Sequence, residues 1–387
     1  MYNVLTLNKI ATCGTSIFDT TKYTVSDSVE NPDAILVRSA KMHDMEFSPN
    51  LLAIGRAGAG TNNIPVDKCA EQGICVFNTP GANANAVKEI VICGLLLSSR
   101  KVTEAIDWAK TLQGTEDVAK QVEKGKSQFV GPEISGKTLG IIGLGAIGRL
   151  VANAVIELGM KVIGTDPFLT EQGKAQLHAS VKIVDTKEEV YKEADYITVH
   201  VPCNNDTKGF INADTIAQMK DGVRILNFAR GELVNDIDIK EALSSGKVAK
   251  YVTDFPNENT VGVENLIAIP HLGASTPESE DNCAVMAVNE IIEYIEKGNI
   301  INSVNLPNAT LDAVGTKVCI IHKNIPDIVS KITSIFGNDG LNIENMVNKS
   351  KGDFAYTMLD INGEVPCNLV DKIQSNDNII KVRVINK

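Results

Sequence analysis

The sequence predicts an α/β protein: two domains built on doubly wound parallel sheets, then a small α+β domain at the C-terminal end. Three observations predict it. Short continuous apolar runs alternate with longer amphipathic stretches from Val4 onward. A glycine-rich segment at 143–148 sits between an apolar run and a helical pattern, and 316–387 changes to a strand–helix–strand–strand–helix–strand rhythm.

Strands are expected at 4–7, 34–38, 52–54 and 75–78. A long helix at 85–100 follows, its apolar positions Val87, Ile90, Val91, Leu95 and Leu97 keeping helical spacing. A second, more regular series gives strands at 138–142, 161–166, 196–201, 223–227, 250–254 and 266–270. Each is continuous rather than alternating in its apolar residues, as parallel strands covered on both faces require. After a helix at 277–297, the polar segment 302–315 is expected to be a linker. The remainder, with strands at 318–322, 343–349, 355–361 and 379–385 and helices at 327–338 and 367–374, reads as ferredoxin-like. The expected domains are therefore 1–90 with 277–301, then 91–276, then 316–387.

At 387 residues, 43% hydrophobic and 22% charged, the chain is long enough for several cores and has no disorder-like composition. A net charge of -11 disfavours nucleic acid and anionic membrane surfaces as partners. No basic segment leads into an apolar core near Met1, and no apolar run is long enough to span a bilayer, so a cytoplasmic protein is expected. Eight scattered cysteines without a Cys-x-x-Cys pair read as reduced thiols, and no metal site is expected.

Gly143-Leu144-Gly145-Ala146-Ile147-Gly148 follows one apolar strand and opens a helix, the context that makes a Gly-x-Gly-x-x-Gly run informative. Gly143 permits a tight turn, Gly145 lets a pyrophosphate approach the backbone, and Gly148 lets helix and strand pack closely. Unpaired N–H groups at the helix start then favour the phosphates. Asp166 ends the next strand, where a carboxylate meets ribose hydroxyls and repels a 2′-phosphate. Pro167 and Phe168 follow with no adjacent arginine, so the expected cofactor is NAD.

Hydride transfer needs a group that moves a proton at the substrate oxygen, and histidine is the commonest choice near neutral pH. His43 and His178 lie in polar segments, His322 belongs to the last domain, and His200 sits within an apolar strand as a satisfied core residue. His271 ends the strand at 266–270, at the carboxyl edge where open α/β sheets bind ligands, and Arg230 and Asp254 end strands in the same way. Arg230 can hold a carboxylate bidentately and polarise a carbonyl, His271 can exchange the proton, and Glu258 is the candidate carboxylate that orients the imidazole. A non-catalytic NAD-dependent sensor is the rival from another class. It needs only the cofactor pocket, so the presence of both Arg230 and His271 favours an enzyme.

Several blocks, in order, resemble the D-2-hydroxyacid dehydrogenase family: Val37-Arg38-Ser39-Ala40, Gly55-Arg56-Ala57-Gly58, Asn78-Thr79-Pro80-Gly81, Gly136-Lys137-Thr138-Leu139-Gly140, Asn227-Phe228-Ala229-Arg230-Gly231 and Pro270-His271-Leu272-Gly273-Ala274. The resemblance implies NAD-dependent oxidation of a 2-hydroxy acid. D-3-phosphoglycerate is the implied substrate and 3-phosphohydroxypyruvate the product, the first step of serine biosynthesis. Glyoxylate, hydroxypyruvate and D-lactate chemistry are the alternatives. It implies a catalytic set of Arg230, Glu258 and His271. NAD contacts would fall on Gly143, Gly145, Ala146, Ile147, Gly148, Asp166, Val201, Pro202, Phe228, Ala229, Arg230, Asp254, His271, Gly273 and Ala274, making 91–276 the NAD-binding domain. Substrate contacts would fall on Arg38, Ser39, Gly58, Ala59, Gly60, Arg230 and His271, with 1–90 and 277–301 as the substrate-binding domain. The family has a Glu-Pro pair after Asp-Val-Phe, whereas this chain reads Asp254-Phe255-Pro256-Asn257-Glu258-Asn259, and ungapped counting puts Asn259 at the acid position.

The 316–387 segment resembles an ACT domain, an amino-acid-sensing module. On that resemblance His322, Asn324 and Asn342 would contact an effector serine across a dimer of modules, and the chain would be a homodimer or homotetramer. Asp327 stands where a glycine is usual, and its carboxylate is expected to cap the following helix.

Overall fold

The computed structural model describes residues 1–386. The chain forms two compact units, 1–83 with 277–387 and 84–276. The whole Ala84–Ser99 helix therefore belongs to the second unit, and the boundary expected at 90 moves to 83/84. Its buried positions Val87, Val91 and Leu95 share a core with Leu139, Leu226 and Val252 of the second sheet, which explains the assignment.

In the first unit, β1 (Tyr2–Leu7), β2 (Tyr23–Ser26), β3 (Ala34–Val37), β4 (Ala53–Arg56) and β5 (Cys75–Phe77) make a parallel sheet in the order β2-β1-β3-β4-β5. β2 was absent from the expected strands; Tyr23-Thr24-Val25-Ser26 is too polar to stand out as an apolar run. The second unit carries β6 (Thr138–Ile142), β7 (Lys161–Thr165), β8 (Lys182–Ile183), β9 (Tyr196–Val199), β10 (Val223–Asn227), β11 (Val248–Thr253) and β12 (Leu266–Ala268). All pair in parallel in the order β12-β11-β10-β9-β6-β7-β8. The chain reverses its winding between β6 and β9, and such switch points open a crevice at the carboxyl ends of the strands.

The last sheet, β13 (Thr316–Lys323), β14 (Asn342–Lys351), β15 (Phe354–Asn362) and β16 (Ile379–Ile385), is antiparallel in the order β14-β15-β13-β16. Val318 and Ile320 of β13 point into a core with the helices Ile328–Asn338 and Cys367–Gln374. Cys319 and Ile321, on the opposite face, join Tyr356 and Met358 in a core with Phe77, Tyr294 and Ile295 of the N-terminal lobe. The module is thus packed into the first unit. Arg383 donates to the Tyr294 and Ile295 carbonyls at 3.2 and 2.7 Å, the Tyr356 hydroxyl donates to the Gly298 carbonyl at 2.7 Å, and Lys381 reaches the Leu51 carbonyl at 2.7 Å.

The segment expected to be a linker is stitched to β5. Asn305 accepts from the Val76 N–H at 2.9 Å and donates to the Ile74 carbonyl at 2.8 Å, and Phe77 bridges Ser303. Asn305 is 8% exposed, so its polarity serves buried backbone groups. Among the described residues no helix is long and apolar enough to cross a membrane, and the eight cysteines are free thiols.

Candidate active site

Beyond β6 the backbone turns at Gly143, whose φ of +98° suits glycine, and an added Cβ there would lie 2.5 Å from the His200 carbonyl oxygen. A Cβ on Gly148 would lie 2.0 Å from the Gly143 carbonyl oxygen, whereas one on Gly145 meets nothing within 4 Å. Gly143 and Gly148 therefore shape the turn, and Gly145 faces open space at the start of the Ala146–Glu157 helix, on which Ile147 is half-buried. Asp166, just after β7, accepts from the Leu144 N–H at 2.9 Å and from the Phe168 N–H at 2.8 Å, so it ties the glycine turn to the neighbouring strand. Each of its oxygens can still accept a further hydrogen bond.

After β9, Val201 is half-buried and Pro202 exposed. Phe228 is 5% exposed, and its ring lies where a Cβ on Gly94 would touch it at 2.8 Å. His200 differs from expectation. Its Nε2 pairs with the Thr198 hydroxyl at 3.0 Å, but Nδ1 is buried without a hydrogen-bond partner, and burial pushes the ring's pKa down to about 4.

Asn227, at the end of β10, is fully buried and donates to the Arg230 carbonyl at 2.8 Å and to Tyr251 at 3.3 Å. It also accepts from the Ala229 N–H at 3.2 Å. It sets the turn that delivers Arg230, whose exposed guanidinium folds back on the Ala229 carbonyl at 2.6 Å. The signal for Asn227 was an amide closing a continuous apolar strand.

Asp254 follows β11 at 1% exposure. One oxygen accepts from the Gly273 N–H at 3.1 Å, and the other is buried with no partner. Burial raises its pKa against the opposing pull of the Gly273 N–H, His271 and Arg230. His271 is exposed, its ring 4.8 Å from that of Phe255, beside a cavity of about 600 Å³ that Gly231, Glu232, Asp236 and Asn257 also line. Glu258 is exposed in the adjoining turn and is not among the residues lining that cavity. Ala274 is half-buried next to Gly273.

Within the first unit, Arg38 follows β3 and pairs with Glu280 at 2.6 Å. The Ser39 and Ala40 N–H groups donate to Asn8 at 3.0 and 2.8 Å, a residue that local sequence did not single out. Gly58 has φ +143° and is buried, and a Cβ there would overlap the Arg56 guanidinium. The Ala59 carbonyl accepts from Asn78 at 2.6 Å, and Gly60 is half-buried.

The effector residues do not meet in one module. β13 runs through Lys323, which puts His322 inside a central strand at 1% exposure. There its Nδ1 donates to the Lys323 carbonyl and its Nε2 pairs with Thr357, both at 2.8 Å, and burial lowers its pKa. Asn324 is exposed and donates to the Gly352 carbonyl at 3.0 Å. Asn342 pairs in register with Asn362 at the Thr316 end of the sheet, opposite the His322 end. Asp327 provides no side-chain cap; it takes φ +67°, a conformation that favours glycine, and pairs with Lys331 at 3.6 Å.

Residues 95–273 match the family described as D-isomer specific 2-hydroxyacid dehydrogenase, NAD binding domain. The chain is 36% identical over 295 residues to a D-3-phosphoglycerate dehydrogenase of Bacillus subtilis, covering 74% of this chain and 54% of that one. It is 32% identical over 354 residues to a D-3-phosphoglycerate dehydrogenase of Haemophilus influenzae, covering 88% and 83%. The chain spans about half the length of the Bacillus relative. A solved structure of cofactor (NAD+) bound 3-phosphoglycerate dehydrogenase from Entamoeba histolytica superposes with a TM-score of 0.62 at 25% identity, over 80% of this chain and 99% of that one. An open Gly145 and an unpartnered Asp254 oxygen fit such a cofactor.

Proposed function

Because the chain belongs to the D-isomer specific 2-hydroxyacid dehydrogenase family, we propose that it is a cytoplasmic, homo-oligomeric enzyme that oxidises D-3-phosphoglycerate to 3-phosphohydroxypyruvate with NAD, the first step of serine biosynthesis. The observation that carries this reading is geometric: His271, the buried Asp254 and Gly231, the residue after Arg230, line one cavity beyond the ends of neighbouring parallel strands. Bound NAD would supply the acceptor for the hydride that leaves the substrate's α-carbon. His271 accepts the hydroxyl proton, Arg230 holds the carboxylate and the developing carbonyl, and Asp254 offers an acceptor for a cofactor amide. Glu258 is the acid assigned to orient the imidazole. Arg38, Ser39 and the 58–60 turn are the residues assigned to the phosphate.

The names of the Bacillus, Haemophilus and Entamoeba relatives support the substrate. NADH absorbance over a panel of D-3-phosphoglycerate, D-glycerate and D-lactate tests it. The highest kcat/KM belongs to the phosphorylated acid; preference for either other acid removes the substrate assignment, and no turnover with any of them favours the sensor.

Serine regulation belongs to the same proposal. Since Asn324 and Asn342 lie at opposite ends of one sheet, a serine touching both needs two modules, and the His322 assigned to it is buried in the strand that leads to Asn324. Self-association is supported by the helices Val102–Lys110 and Val118–Gly125, which bury no residue while exposing Val102, Ile106, Val118 and Val122.

A further inference from the structure

Three carboxylates line the His271 cavity, Glu232, Asp236 and Asp254, and only Asp254 has a part in the reading above. Asp236 opens the Asp236–Ser245 helix and is half-buried. Two side-chain amides from one loop converge on a single oxygen of it: Asn257 Nδ2 at 3.0 Å and Asn259 Nδ2 at 3.4 Å from Oδ2. The loop is wound around Asn257. Its Oδ1 accepts from the Asn259 N–H at 2.9 Å, its own N–H donates to the Thr260 hydroxyl at 2.9 Å, and its carbonyl accepts from the Thr260 and Val261 N–H groups, each at 3.1 Å. Thr260 is 2% exposed, so the far end of the loop is anchored.

This arrangement has a physical purpose at this position. Glu258 lies between the two amides, and Phe255, just before them, rests against the His271 ring. A proline after the glutamate would fix φ and stiffen the loop through the backbone. Asn259 imposes no such restriction. Amide donors to an ionised carboxylate are among the stronger neutral-to-charged bonds, and two of them on one oxygen restrain the loop from the side-chain side instead.

We infer that Asp236 is a positioning residue: through Asn257 and Asn259 it holds the 255–260 loop so that Phe255 stays against the His271 imidazole. The inference rests on the dehydrogenase reading. Glu232, Asp254 and Arg230 are the other charged groups near His271, and none of them contacts the loop amides through a hydrogen bond among the described residues.

The test uses the full chain with NAD and D-3-phosphoglycerate, in D236A, D236N and N259A variants, with kcat/KM measured across pH. D236A lowers kcat/KM roughly ten-fold and moves the acid limb of the profile to lower pH, because an imidazolium that loses the Phe255 ring held beside it is less stable. D236N keeps an oxygen acceptor for both amides and recovers to within about three-fold. N259A, which alters only an exposed side chain, shifts the profile in the same direction by about two- to three-fold and adds nothing in the D236A background. NMR titration of the His271 ring in the same variants needs no turnover and must move with D236A and return with D236N. If profile and titration are unchanged in both D236A and N259A, or D236N is as impaired as D236A, the inference is overturned while the dehydrogenase reading stands. If wild type oxidises no hydroxy acid but the titration moves as stated, that reading fails and the positioning role stands.

Discussion

Replacing Arg383 by alanine tests how firmly the C-terminal module belongs to the first unit. Arg383 sits on β16 with two guanidinium nitrogens on the carbonyls of Tyr294 and Ile295, near the C-terminal end of the Pro277–Lys297 helix, and its guanidinium carbon 4.6 Å from the centre of the Tyr294 ring. Two hydrogen bonds from a charged donor contribute roughly 3–5 kcal/mol together, and the cation–ring contact adds about 1 kcal/mol. Regained side-chain freedom offsets about 2 kcal/mol, which leaves a net loss of roughly 3 kcal/mol. Because Tyr294 also packs on Phe77 and Tyr356, the loss spreads through the lobe as well as the module. Hydrogen exchange read by mass spectrometry is the assay. Protection in β3–β5 and in β13–β15 falls together, by roughly a hundred-fold at 1.4 kcal/mol per decade. A fall confined to β13–β16, with β3–β5 unchanged, refutes the idea that module and lobe form one cooperative unit.

Other outcomes follow from single positions. G145A retains wild-type stability, since its Cβ meets nothing within 4 Å, but weakens NAD binding at least roughly ten-fold in calorimetric titration; G148A, whose Cβ would lie 2.0 Å from a backbone oxygen, loses about 2 kcal/mol or more in urea unfolding. Glu290 is 6% exposed with one oxygen unpartnered, and burial pushes its carboxyl pKa up to about 8. The folded state then holds a proton that the unfolded state releases above its ordinary value of 4.5, so stability is complete below that pH and declines as pH rises toward about 8. E290Q keeps an acceptor for Asn302 and abolishes that decline, making the variant more stable than wild type at pH 9; equal pH dependence in urea unfolding would count against a buried, protonated Glu290.

The doubly wound sheets and the glycine turn were legible because apolar runs and glycine spacing are local signals. β8 was not, since Lys182 and Ile183 form a two-residue exposed edge with no apolar run. The packing of the module against the lobe depends on contacts such as Arg383 with Tyr294, which no window of sequence brings together. One signal was nonetheless present: Val318-Cys319-Ile320-Ile321 is continuous rather than alternating, which requires cover on both faces of β13. Polar composition at 302–315 suggested a linker because an asparagine serves equally in solvent and in a buried network, and only Asn305's partners decide between them. His322 was read at a strand end, and the strand proved to continue past it. At the active site, strand ends pointed to Arg230, Asp254 and His271. Asn227, Asp236 and Phe255 escaped because each acts through a neighbour rather than through its own residue type.

The central claim is that His271 moves the proton while Arg230 and Asp254 set the surrounding site. The most direct measurement is NADH formation by H271N beside calorimetric binding of NAD to the same variant. The account predicts turnover reduced by roughly 10² to 10⁴ with cofactor affinity within about three-fold of wild type. Turnover that survives the substitution, or cofactor binding that is lost with it, contradicts the role given to this imidazole.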